Sequence, residues 1–357
     1  MADPHVRIQG AGPVGILASL FLLRNGWSPE SIELVDPAIN SPIPVHRDDP
    51  RILALSHGTL IRLQQLGVDA QVTRIKHIHV SAADHFGSME IKTDRVGVTD
   101  LGGLASYSSL LTTLREHCQR AGLTIQPQAE PQRDPAIRVV AEGGLFHPDN
   151  RSTNDGMSVV RDYGQQAVIG WVTTEQKPSD TAWERFTDDG AVALLPINDR
   201  YALIWCCAES RANALQSSIS QERCERLQEV LGQRLTGITG VDITGVYPLG
   251  LKWRETLAEG NTVWIGNAAQ ALHPIAGQGM NLGFRDAETL ANCLVQRGSA
   301  IESRLQDYAH RRRTDRWSVR LATDTLARRA WVRRAIGGVS VIPGAKKLLG
   351  QVLMYGG

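Results

Sequence analysis

Hydrophobic and polar positions near the start of the chain change from a strand pattern to a helical pattern and back. Residues 6–9 predict a short strand, and residues 32–36 predict a second one. Between them, residues 13–25 predict a helix with apolar Val14, Leu17, Ala18, Phe21 and Leu22. This order is typical of a compact β-α-β unit.

The next hundred residues mix helical and strand patterns. We expect a helix from about residue 53 to 66, strands over residues 78–91 with a turn near Gly87, and a helix over residues 108–121 that Gly122 ends. Residues 126–135 are punctuated by prolines and predict a connector with no room for a sheet.

The pattern becomes that of β-structure between residues 159 and 207. Four apolar runs predict strands at 167–172, 182–186, 191–196 and 202–207. Spaced strands of this kind indicate a mostly antiparallel sheet that forms a second domain. Further along the chain we expect a helix at about 220–234, a strand near 243–249, a strand at 262–265, and helices at 286–296, 301–334 and 343–354.

Composition and charge place the chain among ordinary globular proteins. Its 357 residues are 42% apolar and 21% charged, and length alone suggests about two domains. The net charge of +1 hides an asymmetry, because residues 301–357 hold 12 Lys and Arg against 4 Asp and Glu. Such a basic tail indicates either an anionic surface or partner, or a solvated helix that docks on the acidic remainder of the chain.

The cysteines and the ends of the chain point to the cytoplasm. The five cysteines have no C-x-x-C spacing and an odd count, so we expect reduced core residues rather than disulfides or a metal site. The polar first residues do not resemble a signal peptide. No apolar stretch reaches the roughly 18–20 residues that a membrane-spanning helix needs.

A glycine motif lies inside the predicted β-α-β unit. Gly10, Gly12 and Gly15 form G-x-G-x-x-G between the first strand and the helix, and Asp36 ends the second strand. The first glycine allows a tight turn, the second lets backbone approach a pyrophosphate, and the third permits close packing of helix on strand. Asp36 can accept hydrogen bonds from a ribose diol. The combination predicts a dinucleotide-binding site.

A second glycine-rich run, residues 266–286, follows the strand at 262–265. A strand that breaks into glycines and restarts as a helix presents unpaired backbone N–H groups at one point. We expect the N–H groups of Gly277, Gly279, Met280 and Asn281 to meet a ring carbonyl such as the pyrimidine edge of a flavin. Two such elements about 250 residues apart suggest one extended ligand held at both ends.

Three other features have a functional and a structural interpretation each. Arg51 can neutralise a phosphate of the cofactor, or it can form a surface salt bridge. His273 can act as an acid or ligand, although a His-Pro pair more often only turns a loop. Arg311–Arg313 with Arg316 and Arg320 resemble a nucleic-acid patch, but no aromatic stacking platform accompanies them, and we expect no nucleic-acid partner.

Taken together, these motifs resemble the FAD-dependent aromatic hydroxylases of ubiquinone biosynthesis, the UbiH/UbiF/VisC group of p-hydroxybenzoate-hydroxylase-like monooxygenases. The resemblance covers nearly the whole chain. The stretches that carry it are 10–15, Asp49-x-Arg51-x-x-Ala54-Leu55, Tyr163-Gly164-Gln165, Glu184-Arg185-Phe186, 193–196, the run 272–283, Arg285-Asp286 and Tyr308-x-x-x-Arg312.

The resemblance implies an α/β fold in which a discontinuous FAD-binding domain of the Rossmann type packs on a mostly antiparallel β-sheet substrate domain, with helices at the C-terminus. The FAD-binding domain would comprise residues 1–155 and 260–315, and the substrate domain residues 156–259. Residues 316–357 would form a basic and apolar C-terminal segment. NAD(P)H would reduce FAD, and a flavin hydroperoxide would hydroxylate a phenol. No catalytic side chain and no metal are then required.

Three departures from the family pattern fall at expected flavin contacts. Asn267 stands where the family has an Asp that accepts hydrogen bonds from the ribityl chain, so an acceptor is kept and a charge is lost. Residues 141–144 replace a Gly-Ala-Asp-Gly fingerprint and lack its Asp. Tyr107 and Ser108 replace an Asn-Arg pair.

Two hypotheses follow. The first is an FAD-dependent, NAD(P)H-using monooxygenase that acts on a polyprenylated phenol of ubiquinone biosynthesis, in the cytoplasm or at the membrane surface. Its basic and apolar C-terminus would contact a membrane or a complex of the same pathway. The second is a flavin-poor or non-catalytic relative that serves as an accessory subunit, motivated by the three altered contacts.

Overall fold

The computed structural model describes residues 4–41, 51–83, 88–130, 134–143, 159–273, 277–295 and 298–328. Three sheets and eight helices form the described part of the chain. The helices are α1 Pro13–Arg24, α2 His57–Gln65, α3 Thr93–Val96, α4 Tyr107–Arg120, α5 Glu209–Ser217, α6 Ser220–Leu231, α7 Gln278–Leu294 and α8 Ile301–Arg328.

The first sheet is a Rossmann-type layer of six strands. In spatial order these are β15 Ala258–Glu259, β16 Thr262–Trp264, β9 Ile137–Val140, β1 Val6–Gln9, β2 Ile32–Val35 and β8 Ile125–Gln126. All neighbours pair in parallel except β15 with β16. Helix α1 packs on this sheet with every residue from Pro13 to Leu22 buried, because its sequence is apolar on nearly all sides. The predicted β-α-β unit is confirmed.

The second sheet has eight strands and is mostly antiparallel, as predicted. In spatial order these are β17 Gln270–Ala271, β14 Ile238–Trp253, β10 Val159–Thr174, β13 Arg200–Ala208, β12 Gly190–Ile197, β11 Thr181–Thr187, β5 His77–Ala82 and β6 Ser88–Lys92. Only β11 and β5 pair in parallel among these neighbours of the described chain. Strands β5 and β6 bring the segment 77–92 into this sheet, while the domain boundaries given above stay a prediction.

The helix predicted over residues 53–66 is wrong in its first part. Residues Ile52–Ser56 form strand β3, which pairs antiparallel with β7 Gly102–Ser106, and β7 also pairs with β4 Thr73–Ile75 in a small third sheet. Helix α2 starts only after Ser56, whose side chain accepts a hydrogen bond from the Thr59 N–H. A short apolar run fits both a helix and a strand. Here the pairing with β7, some fifty residues further along the chain, makes it a strand.

The helix predicted to start at Asp286 begins at Gln278 instead. Gly277 precedes it with a φ of 60°, and the glycines that follow are helical residues rather than loop residues. Gly283 is needed for close packing, because a Cβ atom there would lie 2.8 Å from Val14 of α1. Glycine in a helix costs about 1 kcal/mol in propensity, and the tight contact between the two helices offsets that cost.

Smaller differences concern the connector and the C-terminus. Residues 125–126, at the edge of the predicted connector, form the edge strand β8 beside β2. Helix α8 confirms the predicted helix as far as Arg328. The rest of that helix, and the one expected at 343–354, lie outside the described residues. All five cysteines are free thiols, and Cys118, Cys206, Cys207 and Cys293 are buried as expected.

Candidate functional site

Parallel pairing brings the sequence-predicted motifs to one edge of the first sheet. Strands β1, β2, β9 and β16 run in the same direction, so their carboxyl ends meet at that edge. Gly10 follows β1, Asp36 follows β2, Ala141 follows β9, and Gly266 lies two residues after β16. Ligands of open parallel sheets bind at this edge.

The three glycines of the first motif have different structural roles. Gly10 has a φ of 101°, and a Cβ there would lie 2.8 Å from the backbone of Ala141. A Cβ at Gly15 would overlap the carbonyl oxygen of Gly10. Gly12, in contrast, faces open space, since the nearest atom to a Cβ there is the Tyr107 hydroxyl at 3.8 Å. The fold therefore needs Gly10 and Gly15, whereas Gly12 keeps room for a ligand at the N-terminus of α1.

The Asp36 carboxylate is held beside this glycine loop. One carboxylate oxygen accepts a hydrogen bond from the Ala11 N–H at 2.9 Å, and the other accepts one from the Ala38 N–H at 2.9 Å. An ionised carboxylate accepts about four hydrogen bonds in all, so both oxygens keep capacity for a ribose hydroxyl. The position and the remaining acceptors fit the predicted contact.

The two glycine-rich elements are in direct contact despite their separation in the sequence. The Val14 side chain lies between them: Cβ atoms placed at Gly266 and Gly283 would come 3.0 and 2.8 Å from it. Helices α1 and α7 thus pack along each other near their N-termini. One extended ligand can reach both elements, as the sequence suggested.

A buried ionic network fixes the start of the late run. The Asp286 carboxylate, which is fully buried, accepts hydrogen bonds from the Gly266 N–H at 3.1 Å, Gln270 Nε2 at 2.7 Å and Arg312 Nε at 2.7 Å. Burial opposes the charge of Arg312, but Asp286 and Asp315 hold its pKa above the usual value. Asp286 and Arg312, which belong to the motifs that carry the family resemblance, connect α7 and α8 to the loop at Gly266.

The Asn281 side chain is used entirely within the protein. Its Oδ1 accepts hydrogen bonds from the Ser56 N–H and the Thr59 hydroxyl, each at 2.8 Å. Its Nδ2 donates to the carbonyl oxygens of Ala54 at 2.8 Å and Gly277 at 2.9 Å. Asn281 therefore ties the first turn of α7 to β3 and α2, and its side chain has no hydrogen-bonding capacity left for a cofactor.

The first turn of α7 lies where the sequence predicts a contact with the ring of a cofactor. Gly277 provides no side-chain cap, and the N–H groups of the first helical turn have no acceptor within the helix. A Cβ at Gly279 would meet nothing within 4 Å, so the backbone is open there. This turn can donate to an anion or to a ring carbonyl.

Arg51 and Tyr107 lie together beside the first glycine motif. The Arg51 guanidinium lies 4.1 Å from the centre of the Tyr107 ring, and the Tyr107 N–H donates to the Arg51 carbonyl at 2.9 Å. The Tyr107 hydroxyl is the group near Gly12. Ser108, in contrast, is fully buried and contacts Ser106. Of the two residues that replace the family's Asn-Arg pair, Tyr107 is the one that reaches the predicted pyrophosphate position.

An apolar cavity of 390 Å³ lies between the late run and the second sheet. Asn267, Gly277, Gly279 and Met280 line it on one side. The facing side is the sheet surface with Ile78, Val80, Ile91, Ala182, Glu184, Ala191, Ala193, Leu195, Ile204 and Cys206. A cavity of this size and lining is typical of a site for an apolar small molecule.

His273 does not line this cavity. It is buried, its Nε2 lies 3.1 Å from Gln165 Oε1, and its ring meets Tyr163 edge-on at 5.3 Å between ring centres. These contacts favour the structural interpretation of the His-Pro pair. Pro274–Ala276 lie outside the described residues.

Comparison with known proteins agrees with this geometry. Residues 160–322 match the model of a family described as FAD binding domain. The 3-demethoxyubiquinol 3-hydroxylase of Escherichia coli is 31% identical over 90% of this chain and 88% of its own length. The mitochondrial ubiquinone biosynthesis monooxygenase COQ6 of Caenorhabditis elegans is 27% identical, over 83% and 81%.

Solved structures show the same fold. The PqsL protein of Pseudomonas aeruginosa superposes with a TM-score of 0.73 at 19% identity, over 94% of this chain and 99% of its own. The enzyme 2-methyl-3-hydroxypyridine-5-carboxylic acid oxygenase has a TM-score of 0.69 at 17% identity, over 98% and 96%. At these identities the likeness concerns the fold alone.

Proposed function

This chain belongs to the family of FAD-dependent aromatic-ring monooxygenases, and from that premise we propose that it hydroxylates a polyprenylated phenol of ubiquinone biosynthesis with NAD(P)H as reductant. The observation that carries the proposal is the apolar cavity between the late glycine run and the second sheet. When bound, FAD accepts a hydride from NAD(P)H and activates O₂ so that one oxygen atom reaches the substrate ring.

The chain's own residues would hold FAD along the edge of the first sheet. The backbone at Gly10, Gly12 and Gly15 and the N-terminus of α1 fit the pyrophosphate, because Gly12 faces open space there. Asp36 fits the ribose diol, since both of its oxygens keep acceptor capacity. Arg51, stacked on Tyr107, places a positive charge beside the same loop and supports the pyrophosphate.

The late run would hold the other end of the cofactor. The first-turn N–H groups of α7 at Gly279 and Met280 can donate to the carbonyl oxygens of the flavin pyrimidine ring. Asn267 is exposed and lines the cavity, so its amide can reach the ribityl chain. The Asp286 carboxylate holds this loop through hydrogen bonds from the Gly266 N–H and Gln270 Nε2. A fixed array of donors stabilises developing negative charge at little reorganisation cost.

The cavity provides the place for the substrate ring. Its lining of aliphatic side chains excludes water from the reacting atoms. A volume of 390 Å³ holds an aromatic ring but not a long prenyl group in addition. The prenyl group of the substrate would therefore extend outward from the cavity.

We further propose that the protein works in the cytoplasm, as a peripheral protein at a membrane surface or within a complex of the same pathway. Trp317 and Leu321, one helical turn apart on α8, are 58% and 50% exposed. Exposed arginines such as Arg313 lie on the same basic helix, a combination that suits an anionic lipid surface. The helices in the described ranges include none that is long and apolar enough to cross a bilayer. The C-terminal residues 329–357 lie outside the described residues.

The accessory-subunit hypothesis has no specific support. A relative without flavin has no need for open space at Gly12 or for an uncapped turn at Gly279 beside an apolar cavity, yet the chain has both. The comparisons likewise point to FAD-dependent hydroxylases.

The test begins with the visible absorbance spectrum of the purified protein before and after incubation with FAD. We expect a yellow protein with one FAD per chain. NAD(P)H oxidation is then measured with and without prenylated phenols, and the product is analysed for one oxygen atom from isotopically heavy O₂. A colourless protein that takes up no FAD would refute the proposal.

A further inference from the structure

Strand β10 of the second sheet contains a bulge near its start. Asp162 and Gln165 pair with consecutive residues of β14, so the two residues between them, Tyr163 and Gly164, are extra on β10. Gly164 has a φ of 64°, and its N–H donates to Asp162 Oδ1 at 2.8 Å. A bulge bends its strand and changes the direction of the side chains beside it.

The two side chains that flank the bulge glycine both contact His273 of the late run. Gln165 Oε1 lies 3.1 Å from His273 Nε2, and the Tyr163 ring meets the imidazole edge-on. His273 is 1% exposed, and it directly follows Leu272, which lines the cavity. The late run is thereby bonded to the second sheet at a buried point next to the cavity wall.

The partner of the Gln165 amide nitrogen fixes the direction of this hydrogen bond. Gln165 Nε2 donates to the backbone carbonyl of Asp189 at 2.7 Å, and a carbonyl oxygen only accepts. The Gln165 atom that faces His273 is therefore Oε1, which also only accepts, so His273 Nε2 carries the proton. Asp189 is itself held in place, because its carboxylate accepts hydrogen bonds from Arg211 Nε at 2.7 Å and Thr187 Oγ1 at 3.0 Å.

The segment around His273 has little regular secondary structure to hold it. Strand β17, which ends two residues before His273, is only two residues long and pairs with β14 at the edge of the second sheet. Strands of globular proteins usually span about 3–10 residues, so this short pairing holds the chain weakly. The hydrogen bond to Gln165 adds a buried attachment directly after Leu272.

We infer that Gln165 is a positioning residue, which accepts the hydrogen bond of His273 Nε2 and thereby holds the late run against the second sheet. Gln165 is not among the described lining residues of the cavity, so it acts through His273. The attachment fixes Leu272 and the first turn of α7 relative to the opposite wall of the cavity. The hydrogen bond is independent of the function proposed above, whereas its effect on FAD binding rests on that function.

The first experiment locates the imidazole proton of His273 in the FAD-free protein. NMR of isotope-labelled histidine distinguishes protonated from unprotonated ring nitrogens, and His273→Asn identifies the signal by its disappearance. At roughly pH 8, above the usual histidine pKa of about 6.5, we expect the proton on Nε2. A neutral imidazole with its proton on Nδ1 would overturn the inference, because Nε2 could not then donate to Gln165.

The second experiment measures by amide hydrogen exchange how firmly the late run is held. Gln165→Leu removes the acceptor, and one hydrogen bond corresponds to about 2- to 10-fold in a local opening equilibrium. We expect residues 270–273 of the FAD-free protein to exchange faster by that factor, with β1 and β9 of the first sheet unchanged. Gln165→Glu keeps an acceptor for His273, so it should exchange more slowly than Gln165→Leu, and its charge should raise the pKa of His273.

Tyr163→Phe is the matched control, because it keeps the ring edge on His273 and loses the hydroxyl that donates to Asp324 Oδ1 at 3.0 Å. Exchange at residues 270–273 should match the unaltered protein in this variant. Equal exchange in Gln165→Leu and Tyr163→Phe would overturn the inference. Faster exchange throughout the chain in Gln165→Leu would also overturn it, because that result would show a general loss of stability.

The third measurement is the FAD affinity of the same proteins. It should fall about 2- to 10-fold in Gln165→Leu and stay unchanged in Tyr163→Phe. An unaltered affinity in Gln165→Leu would show that Gln165 does not position the cofactor contacts, which contradicts the inference. If the protein without substitutions binds no FAD, the proposed function fails, while the NMR and exchange results still decide whether Gln165 holds the late run.

Discussion

Replacing Asn281 by Ala tests how the late glycine run is held in place. The side chain joins three parts of the chain: the carbonyl of Ala54 in β3, the cap region of α2 at Ser56 and Thr59, and the carbonyl of Gly277 before α7. The residue is 2% exposed, so water cannot replace the lost partners without local opening. Asn281→Ala removes four hydrogen bonds of 2.8–2.9 Å in one step.

The expected loss of stability follows from these contacts. A typical protein hydrogen bond contributes about 0.5–1.5 kcal/mol net, and a buried group left without its partner costs about 1–3 kcal/mol. The Ser56 N–H and the carbonyl oxygens of Ala54 and Gly277 would all lose a partner. Alanine has the better helix propensity, which returns about 0.5 kcal/mol. We expect the free energy of unfolding to fall by about 3–5 kcal/mol.

The assay is urea unfolding of the FAD-free protein, with FAD affinity measured separately by fluorescence titration. Asn292→Ala is the matched control, because Asn292 lies in the same helix but is exposed, and its Oδ1 accepts a hydrogen bond from Asn25 Nδ2 at 3.1 Å. Its unfolding free energy should stay within about 0.5 kcal/mol of the unaltered protein. FAD affinity should fall in Asn281→Ala only, since Gly277 would lose its anchor. An Asn281→Ala protein as stable as the Asn292→Ala control would refute the reasoning.

Three further predictions concern other parts of the molecule. Gly12→Val should leave the melting temperature of the FAD-free protein unchanged and abolish FAD binding. Gly15→Ala should lower the melting temperature of the FAD-free protein, because its Cβ would overlap the carbonyl oxygen of Gly10. Equal melting temperatures for the two variants would contradict this prediction. Asp286→Ala should cost about 3–5 kcal/mol in urea unfolding, because buried Arg312 loses one of its two carboxylate partners and the Gly266 N–H and Gln270 lose their acceptor. A loss below about 1 kcal/mol would argue against the network. Burial lowers the pKa of His79, so the stability that its neutral form contributes is present above the unfolded pKa of about 6.5 and is lost as the pH falls below that value. His79→Gln should therefore make the free energy of unfolding in urea less sensitive to acid. An unchanged pH dependence in this variant would contradict the prediction.

Much of the fold could be predicted because its signals are local. The β-α-β unit at residues 6–36 needs only a short strand, an apolar helix and a second strand, all visible in consecutive residues. The strands between 159 and 208 were likewise found from apolar runs separated by turns. Helix α5, Glu209–Ser217, was missed because its sequence is mostly polar with little periodicity.

The errors lie where a distant partner decides the local structure. Residues Ile52–Ser56 fit a helix by pattern, but β7 supplies the backbone donors and acceptors that make them a strand. The start of α7 was placed too late because glycine usually ends a helix, whereas Gly283 allows close approach to Val14. The predicted cofactor contact of Asn281 stays a prediction, whereas the hydrogen bonds of its side chain could not be predicted, because they depend on three segments that no spacing rule connects.

The sequence by itself determined the chemistry that this protein can carry: a dinucleotide loop with its acidic residue, a late glycine run, and the resemblance that joined them to FAD. Each of these motifs is short and can be recognised from a few consecutive residues. Only the tertiary structure decided how they meet, with Val14 between Gly266 and Gly283 and with Glu184 facing the cavity from β11. Such contacts depend on strand register and on helix packing between segments that lie hundreds of residues apart. A polar group that becomes buried in the folded chain needs a hydrogen-bond partner there, and the tertiary structure supplies it.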